Sequence, residues 1–194
     1  DLGKADEIAA LMAYAEAEHG GVDVLVNNAG IQHLAAVEDF PPERWDAILA
    51  INLTAAFHTT RLALPRMRNR DWGRIINVAS IAGLSGAGAD VQFIAYGTSK
   101  GAVVNFTRTL AGEWGAYGIT VNALAPGFFP SKMTKGVIAE FGTDKLAAQA
   151  PLKRIGDDDD LKGAALLFAS AAGKHITGQI LAVDGGVSAV HGGG

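Results

Sequence analysis

Four short, almost unbroken apolar runs constrain this chain more than any other feature: Val22 to Val26, Arg74 to Val78, Ile119 to Ala125 and Ile180 to Val183. Each is rich in Val, Ile or Leu and ends at Asn, Ser, Pro-Gly or Asp-Gly, the pattern of strands covered on both faces. Helical stretches alternate with them. The first carries Ile8, Leu11, Met12 and Ala15 on one stripe behind Asp6-Glu7 and stops at Gly20-Gly21. Others run from about Pro41 to Arg68, Ala95 to Trp114 and Asp158 to Ala169. Such alternation predicts an α/β fold, a doubly wound, mostly parallel sheet flanked by helices, in which ligands gather at the carboxyl ends of the strands. Those ends carry Asn27-Asn28-Ala29-Gly30, Ala79-Ser80 and Pro126-Gly127.

Length and composition narrow the functional classes. The 194 residues, 49% of them apolar, suit one domain spanning 1–194, with no linker or fixed-period repeat. The 16 Lys and Arg stand against 20 Asp and Glu, so nothing resembles a surface built to neutralise a phosphate backbone. No nucleic-acid partner is expected. The chain has no cysteine, which excludes disulfides, thiolate zinc sites and thiol nucleophiles. No uninterrupted apolar run approaches the roughly 20 residues that cross a bilayer, and no leader-like segment opens the chain, so no membrane partner is expected and the assigned compartment is cytoplasmic. The five His form no ligand spacing, and Asp157 to Asp160 reads as a charged helix cap, so no metal is assigned.

The most informative segment is Tyr96-Gly97-Thr98-Ser99-Lys100. A spacing of four places the phenol and the ammonium on one helical face. An unperturbed Tyr titrates near pH ~10, so a phenolate at neutral pH requires a shift of about three units, roughly 4 kcal/mol. A cation about 4 Å away at an effective dielectric near 20 supplies energy of that order. Taken alone, Tyr-x-x-x-Lys is more often an exposed helix turn, but three companions accompany it. Ser80, after the second strand, offers a hydroxyl to a substrate oxygen. Asn52 falls on the stripe of Trp45, Ile48 and Leu49, where an apolar residue is due; it is either a satisfied core amide or an anchor for a water near the Lys. The small-residue turn Asn27-Asn28-Ala29-Gly30 allows close backbone approach to a ligand.

On these motifs, together with Gly178-Gln179-Ile180-Leu181-Ala182-Val183-Asp184-Gly185-Gly186, the chain resembles the short-chain dehydrogenase/reductase family, and the motifs occur in family order along nearly all of it. The resemblance implies hydride transfer between NAD or NADP and a ketone or secondary alcohol. Tyr96 is then the general acid/base, Ser80 holds the reacting oxygen, Lys100 lowers the Tyr pKa and binds the nicotinamide ribose, and Asn52 holds a water in the proton relay. It further implies cofactor contacts from Asp1 to the adenine, from Asn28, Ala29 and Gly30 to the adenine-ribose side, from Tyr96 and Lys100 to the nicotinamide ribose, and from Pro126, Gly127, Phe129 and Ser131 to the nicotinamide and pyrophosphate. Phe129 replaces a small β-branched residue, which makes the pocket wall bulkier.

The resemblance also implies two βα units ahead of Asp1, holding the phosphate loop and the NAD/NADP selector. Gly86 to Val91, the nearest Gly-rich segment, lacks the third glycine and reads as an active-site loop. The 194 residues alone are therefore expected to bind dinucleotide weakly. A substrate lid is expected at about 130–155, a disordered tail at 192–194, and a dimer or tetramer of identical chains built on the helices of Asn52 and Tyr96. Gly97 and Gly101 read as close helix packing.

For the substrate, Gln32 after the Asn-Asn-Ala-Gly turn resembles 3-hydroxybutyrate dehydrogenases, but Ala82 and Phe93 stand where those enzymes carry His and Lys. The segment from Tyr96 to Thr134 is more similar to gluconate 5-dehydrogenases and 3-oxoacyl-[acyl-carrier-protein] reductases. A sugar-acid or 3-oxoacyl type of substrate is favoured, with Gln32, Ser80 and Tyr96 as its contacts. The alternatives are 3-hydroxybutyrate and a non-catalytic paralogue that binds a partner subunit.

Overall fold

The computed structural model describes residues 1–86 and 92–190. Helix α1 (Ala5–His19) leads to β1 (Val24–Asn27), then α2 (Pro42–Leu49), α3 (Ala55–Asn69) and β2 (Gly73–Val78). The long α4 (Ile94–Trp114), β3 (Ile119–Pro126), the short α5 (Lys135–Phe141) and α6 (Thr143–Gln149), α7 (Lys162–Ala169) and β4 (Ile180–Val183) follow. The four strands are all parallel, in the order β1-β2-β3-β4.

Alternation of side chains along the strands divides the core. On one face Leu25, Ile75, Ile119 and Val121 meet Ala63, Leu64 and Met67 of α3 and Leu110 and Ala111 of α4. On the other, Ile76 and Leu124 meet Phe168 of α7. Strands β2 and β3 are thus covered on both sides, which is why they read as continuous apolar runs. Strand β1 departs from that expectation: Leu25 is buried, while Val24 and Val26 are 37% and 51% exposed. Their face lies beyond α7, which packs against β2 and β3.

A buried polar lattice fixes the carboxyl ends of β1 and β2. Asn27 Nδ2 donates to Asn77 Oδ1 at 2.9 Å, Thr59 Oγ1 of α3 donates to Asn27 Oδ1 at 2.7 Å, and Asn77 Nδ2 donates to Thr107 Oγ1 of α4 at 2.9 Å. Buried amides demand such partners, and here meeting the demand locks both long helices to the sheet edge.

Two sequence expectations change. The 157–160 run caps no helix: α7 begins at Lys162, and Asp160 instead takes two hydrogen bonds from the Arg154 guanidinium and one from the Asp157 N–H. The short-range attraction of a guanidinium outweighs the weaker helix dipole. The helix predicted over 41–68 runs from Pro42 to Asn69 but widens into a π-turn at Ala50–Thr54. By length and composition the Pro42–Asn69 helix is apolar enough to cross a membrane, yet Ala55, Ala63, Leu64 and Met67 are buried within the protein. The active-site loop read at 86–91 falls, from residue 87 onward, outside the described residues, as does the tail at 192–194.

Candidate active site

Tyr96 and Lys100 lie in the first two turns of α4, and Ser80 stands at the mouth of β2. The distance between them is set by a glycine. After Ser80 the chain makes a single turn, Ile81–Gly83, and a Cβ on Gly83 would fall 2.5 Å from the Lys100 carbonyl carbon and 2.7 Å from the Gly101 nitrogen. Only glycine permits that contact. On the helix side, a Cβ on Gly97 would fall 3.0 Å from the Phe93 ring and 3.3 Å from the Ala82 carbonyl. The Gly97/Gly101 pair was expected to seat a neighbouring helix; its main partner is this turn.

The turn brings the three groups together. The hydroxyl of Ser80 accepts from the Ala82 N–H at 3.2 Å and lies near enough to the Tyr96 phenol to favour its ionised form. Lys100 Nζ donates to the Val78 carbonyl at 2.7 Å and lies 5.7 Å from the centre of the Tyr96 ring. Ser80 is 9% exposed and Lys100 only 3%.

The electrostatics differ from the simple expectation of a cation lowering a phenol. Burial pushes the Tyr96 phenol above its ordinary value, and the hydrogen bond from Ser80 recovers part of that rise. Burial also lowers the Lys100 ammonium to about 8. Both charged forms lose hydration in the same dry site, so the phenol remains protonated at neutral pH. The lysine cation survives there with one protein acceptor among the described residues, the Val78 carbonyl. An ammonium carries three donors, so two remain for a ligand.

Asn52 reaches the site through the π-turn. Its Oδ1 accepts from the Ile31 N–H at 2.8 Å, and its Nδ2 donates to the Ile31 carbonyl at 3.0 Å and to Ser99 Oγ at 3.0 Å. Both amide protons are engaged by protein, so the satisfied-core reading describes this side chain.

Gly30 sits directly against this group. A Cβ there would fall 3.3 Å from Asn52 Oδ1 and 3.4 Å from Lys100 Nζ. It also opens a cavity of about 540 Å³ lined by Ile31, Gln32, His33, Leu34, Lys132 and Met133. Gln32 Nε2 donates to the Met133 carbonyl at 2.9 Å, tying the cavity floor to the segment above it. Asn28 and Ala29 line a different cavity of about 280 Å³, with Leu2, Ile51 and Asn52. Asp1 stands beyond Leu2, its carboxylate bound to the Gly3 N–H at 2.8 Å. Gly127 is fixed to β4 by its N–H bond to the Val183 carbonyl at 3.0 Å. Phe129 lies on Gly156, and Ser131 Oγ accepts from the Thr134 N–H at 3.1 Å, closing the turn before α5. The structure therefore joins Ser80, Tyr96, Lys100, Asn52 and Gly30 around one point and sets Asn28 and Ala29 in a second cavity, which Asp1 does not line.

Two contributors escaped sequence reasoning: Asn77 and Ser99. An amide inside the run Arg74 to Val78 was a usable signal, since a buried amide needs partners. A serine within a helix is no signal at all.

The residues present fit the nicotinamide-ribose end of a dinucleotide. Lys100 retains free donors, and Gly30 leaves open the space that a side chain would fill against it. The chain belongs to the short-chain dehydrogenase/reductase family and is an oxidoreductase working with NAD or NADP on CH–OH groups. A family model described as enoyl-(acyl carrier protein) reductase matches residues 1–188. Among similar proteins, a D-beta-hydroxybutyrate dehydrogenase of Cupriavidus necator is 46% identical over 197 residues, 96% of this chain and 75% of that protein. A gluconate 5-dehydrogenase of Gluconobacter oxydans is 36% identical over 97% of this chain and 73% of its own length. The crystal structure of a gluconate 5-dehydrogenase from Burkholderia cenocepacia, in complex with NADP and tartrate, superposes with a TM-score of 0.92 at 35% identity, covering 98% of this chain and 74% of that one.

Proposed function

We propose that this protein interconverts a ketone and a secondary alcohol, with Tyr96 delivering or removing the proton on the reacting oxygen. The observation that carries the reading is the half-buried Tyr96 phenol between buried Ser80 and a buried ammonium 5.7 Å from its ring that keeps two free donors. The dinucleotide, when bound, supplies the hydride donor or acceptor at its nicotinamide ring. Lys100 and the backbone of Gly30 would hold the adjoining ribose, with Asn28, Ala29 and Asp1 toward the adenosine end and Pro126, Gly127, Phe129 and Ser131 along the other side.

In reduction, the substrate oxygen gains negative charge as its carbon gains hydride. Ser80 turns its single hydroxyl proton from Tyr96 to that oxygen, while its own oxygen accepts from the Ala82 N–H. Tyr96 donates the second and then transfers its proton. A phenol that stays protonated at neutral pH suits this direction. In oxidation Tyr96 must first lose its proton, and Lys100, while charged, lowers the cost of the phenolate.

A sugar-acid or 3-oxoacyl carbonyl compound is the favoured substrate, entering over Gln32 beneath a lid formed by 130–155. Phe93, whose ring lies against Gly97, stands where 3-hydroxybutyrate dehydrogenases carry Lys, which weighs against that substrate. The 46% identity to a hydroxybutyrate dehydrogenase favours 3-hydroxybutyrate as the second reading. We further place the protein in the cytoplasm as a homo-oligomer built on the exposed faces of α3 and α4, where Phe57 is 47% exposed. A screen of ketogluconates, 3-oxoacyl thioesters and acetoacetate, read as consumption of NADPH and NADH, tests the substrate reading. Turnover of acetoacetate alone would select the second reading, and turnover of none would overturn both.

A further inference from the structure

Ser99 lies between the two residues that carry the chemistry and is fully buried. Its Oγ donates to the Tyr96 carbonyl at 2.8 Å and accepts from Asn52 Nδ2 at 3.0 Å. The direction of every proton in this chain of bonds is fixed. The Ile31 N–H can only donate and the Ile31 carbonyl can only accept, so they set which end of the Asn52 amide faces the loop. Asn52 Nδ2 must then donate to Ser99, and Ser99 must pass its own proton to the Tyr96 carbonyl. Backbone at Ile31, amide at Asn52, hydroxyl at Ser99 and backbone at Tyr96 form one directed strut.

The strut crosses the site. At one end Ile31 follows Gly30, where any side chain would meet Lys100 Nζ and Asn52 Oδ1, and precedes Gln32, which lines the cavity. At the other end is the residue whose phenol meets Ser80. A serine that merely folds its hydroxyl back onto its own helix is common and needs no partner from another element. Here a second element arrives, from the π-turn at Ala50–Thr54 that sets Asn52 inward.

We propose that Ser99 is a positioning residue: through Asn52 it holds the Tyr96 turn in register with the Gly30-Ile31-Gln32 loop, so that substrate and cofactor seated on that loop meet the phenol at reacting distance. This rests on the reading of Tyr96 as the proton donor. Displacing a reacting group by about 1 Å can cost on the order of 100-fold in rate, so the loss falls on kcat rather than on substrate binding.

The test is a kinetic cycle in the wild-type background, with thermal unfolding of each variant as a fold control. Ser99→Ala is expected to lower kcat by about 10- to 100-fold while KM for the carbonyl substrate changes by less than about threefold. The apparent pKa in its kcat/KM profile should move away from that of wild type. Ser99→Thr retains the hydroxyl and should recover kcat to within about threefold. The double variant Asn52→Ala/Ser99→Ala should be no slower than Asn52→Ala, because the two residues act as one unit. Wild-type kcat with an unmoved profile in Ser99→Ala would overturn the proposal, as would losses that multiply in the double variant. A Tyr96→Phe control separates the two readings: if it turns over like wild type, the proton-donor assignment fails and the positioning role fails with it. If Tyr96→Phe is inactive while Ser99→Ala is unaffected, only the positioning role is lost.

Discussion

Lys100 offers a prediction that depends on burial and charge alone, without any ligand. Its ammonium is 3% exposed and titrates at about 8 rather than the ordinary 10.5. A base whose folded pKa is depressed binds fewer protons in the native state than in the unfolded state between those two values, so stability rises with pH across the window from about 8 to 10.5. A shift of about 2.5 units corresponds to roughly 3 kcal/mol that the native state forgoes at pH 7, with about 2 kcal/mol recovered by pH ~10. Lys100→Met removes the charge and keeps the stem volume. It also leaves the Val78 carbonyl without its donor, which costs about 1–3 kcal/mol independently of pH. The measurable quantity is the difference between wild type and variant in urea unfolding free energy at pH 7, 8, 9 and 10. Titrating groups remote from Lys100 are shared and cancel; Tyr96, whose pKa is raised above 10, stays largely protonated across the range. The wild type should gain about 2 kcal/mol relative to Lys100→Met between pH 7 and 10. Parallel curves would refute the reasoning, because they would mean that the ammonium loses no hydration on folding.

Other perturbations address the turn, the lattice and the cavity. Gly83→Ala places a methyl group 2.5 Å from the backbone of Lys100, so it should cost about 1–3 kcal/mol in thermal or urea unfolding and lower kcat by displacing Ser80. Thr107→Val leaves Asn77 Nδ2 without its acceptor and should cost about 1–3 kcal/mol in urea unfolding, with KM unchanged because the lattice lies beneath the site. Gln32→Leu frees the Met133 carbonyl and should raise KM for the carbonyl substrate several-fold while leaving stability within about 0.5 kcal/mol. A Gln32→Leu enzyme with unchanged KM would remove Gln32 from the substrate cavity.

Much of the fold was legible because burial leaves a plain trace in sequence. The runs at 74–78 and 119–125 are apolar on both faces and became the two central strands, within a residue or so of the expected ends. Val22 to Val26 carried the same trace, yet Val24 and Val26 are exposed, since periodicity reports the polarity of a strand and not what covers it. The Asp157–Asp160 run was read as a cap because helix starts favour carboxylates; the sequence does not say that Arg154 would claim Asp160 first.

The site was legible where residue type and spacing demand chemistry. Tyr96 and Lys100 share a helical face, and Ser80 ends the strand beside them. What remained hidden depends on contacts across the chain. The burial that raises Tyr96 and lowers Lys100 is a property of the folded chain, whose turn at Gly83 packs on the Lys100 backbone, and the engagement of Asn52 comes from the backbone of Ile31. Neither partner is adjacent in sequence to the group it governs.

The most direct test of the proton-donor assignment compares wild type with Tyr96→Phe in carbonyl-dependent oxidation of NADPH and NADH, with cofactor binding followed separately by nucleotide fluorescence. The loss of the one hydroxyl that would carry the proton should reduce turnover by about 100- to 10,000-fold, with folding and cofactor affinity retained. Equal turnover in the two proteins would contradict the account, because the reacting oxygen would then take its proton from another group.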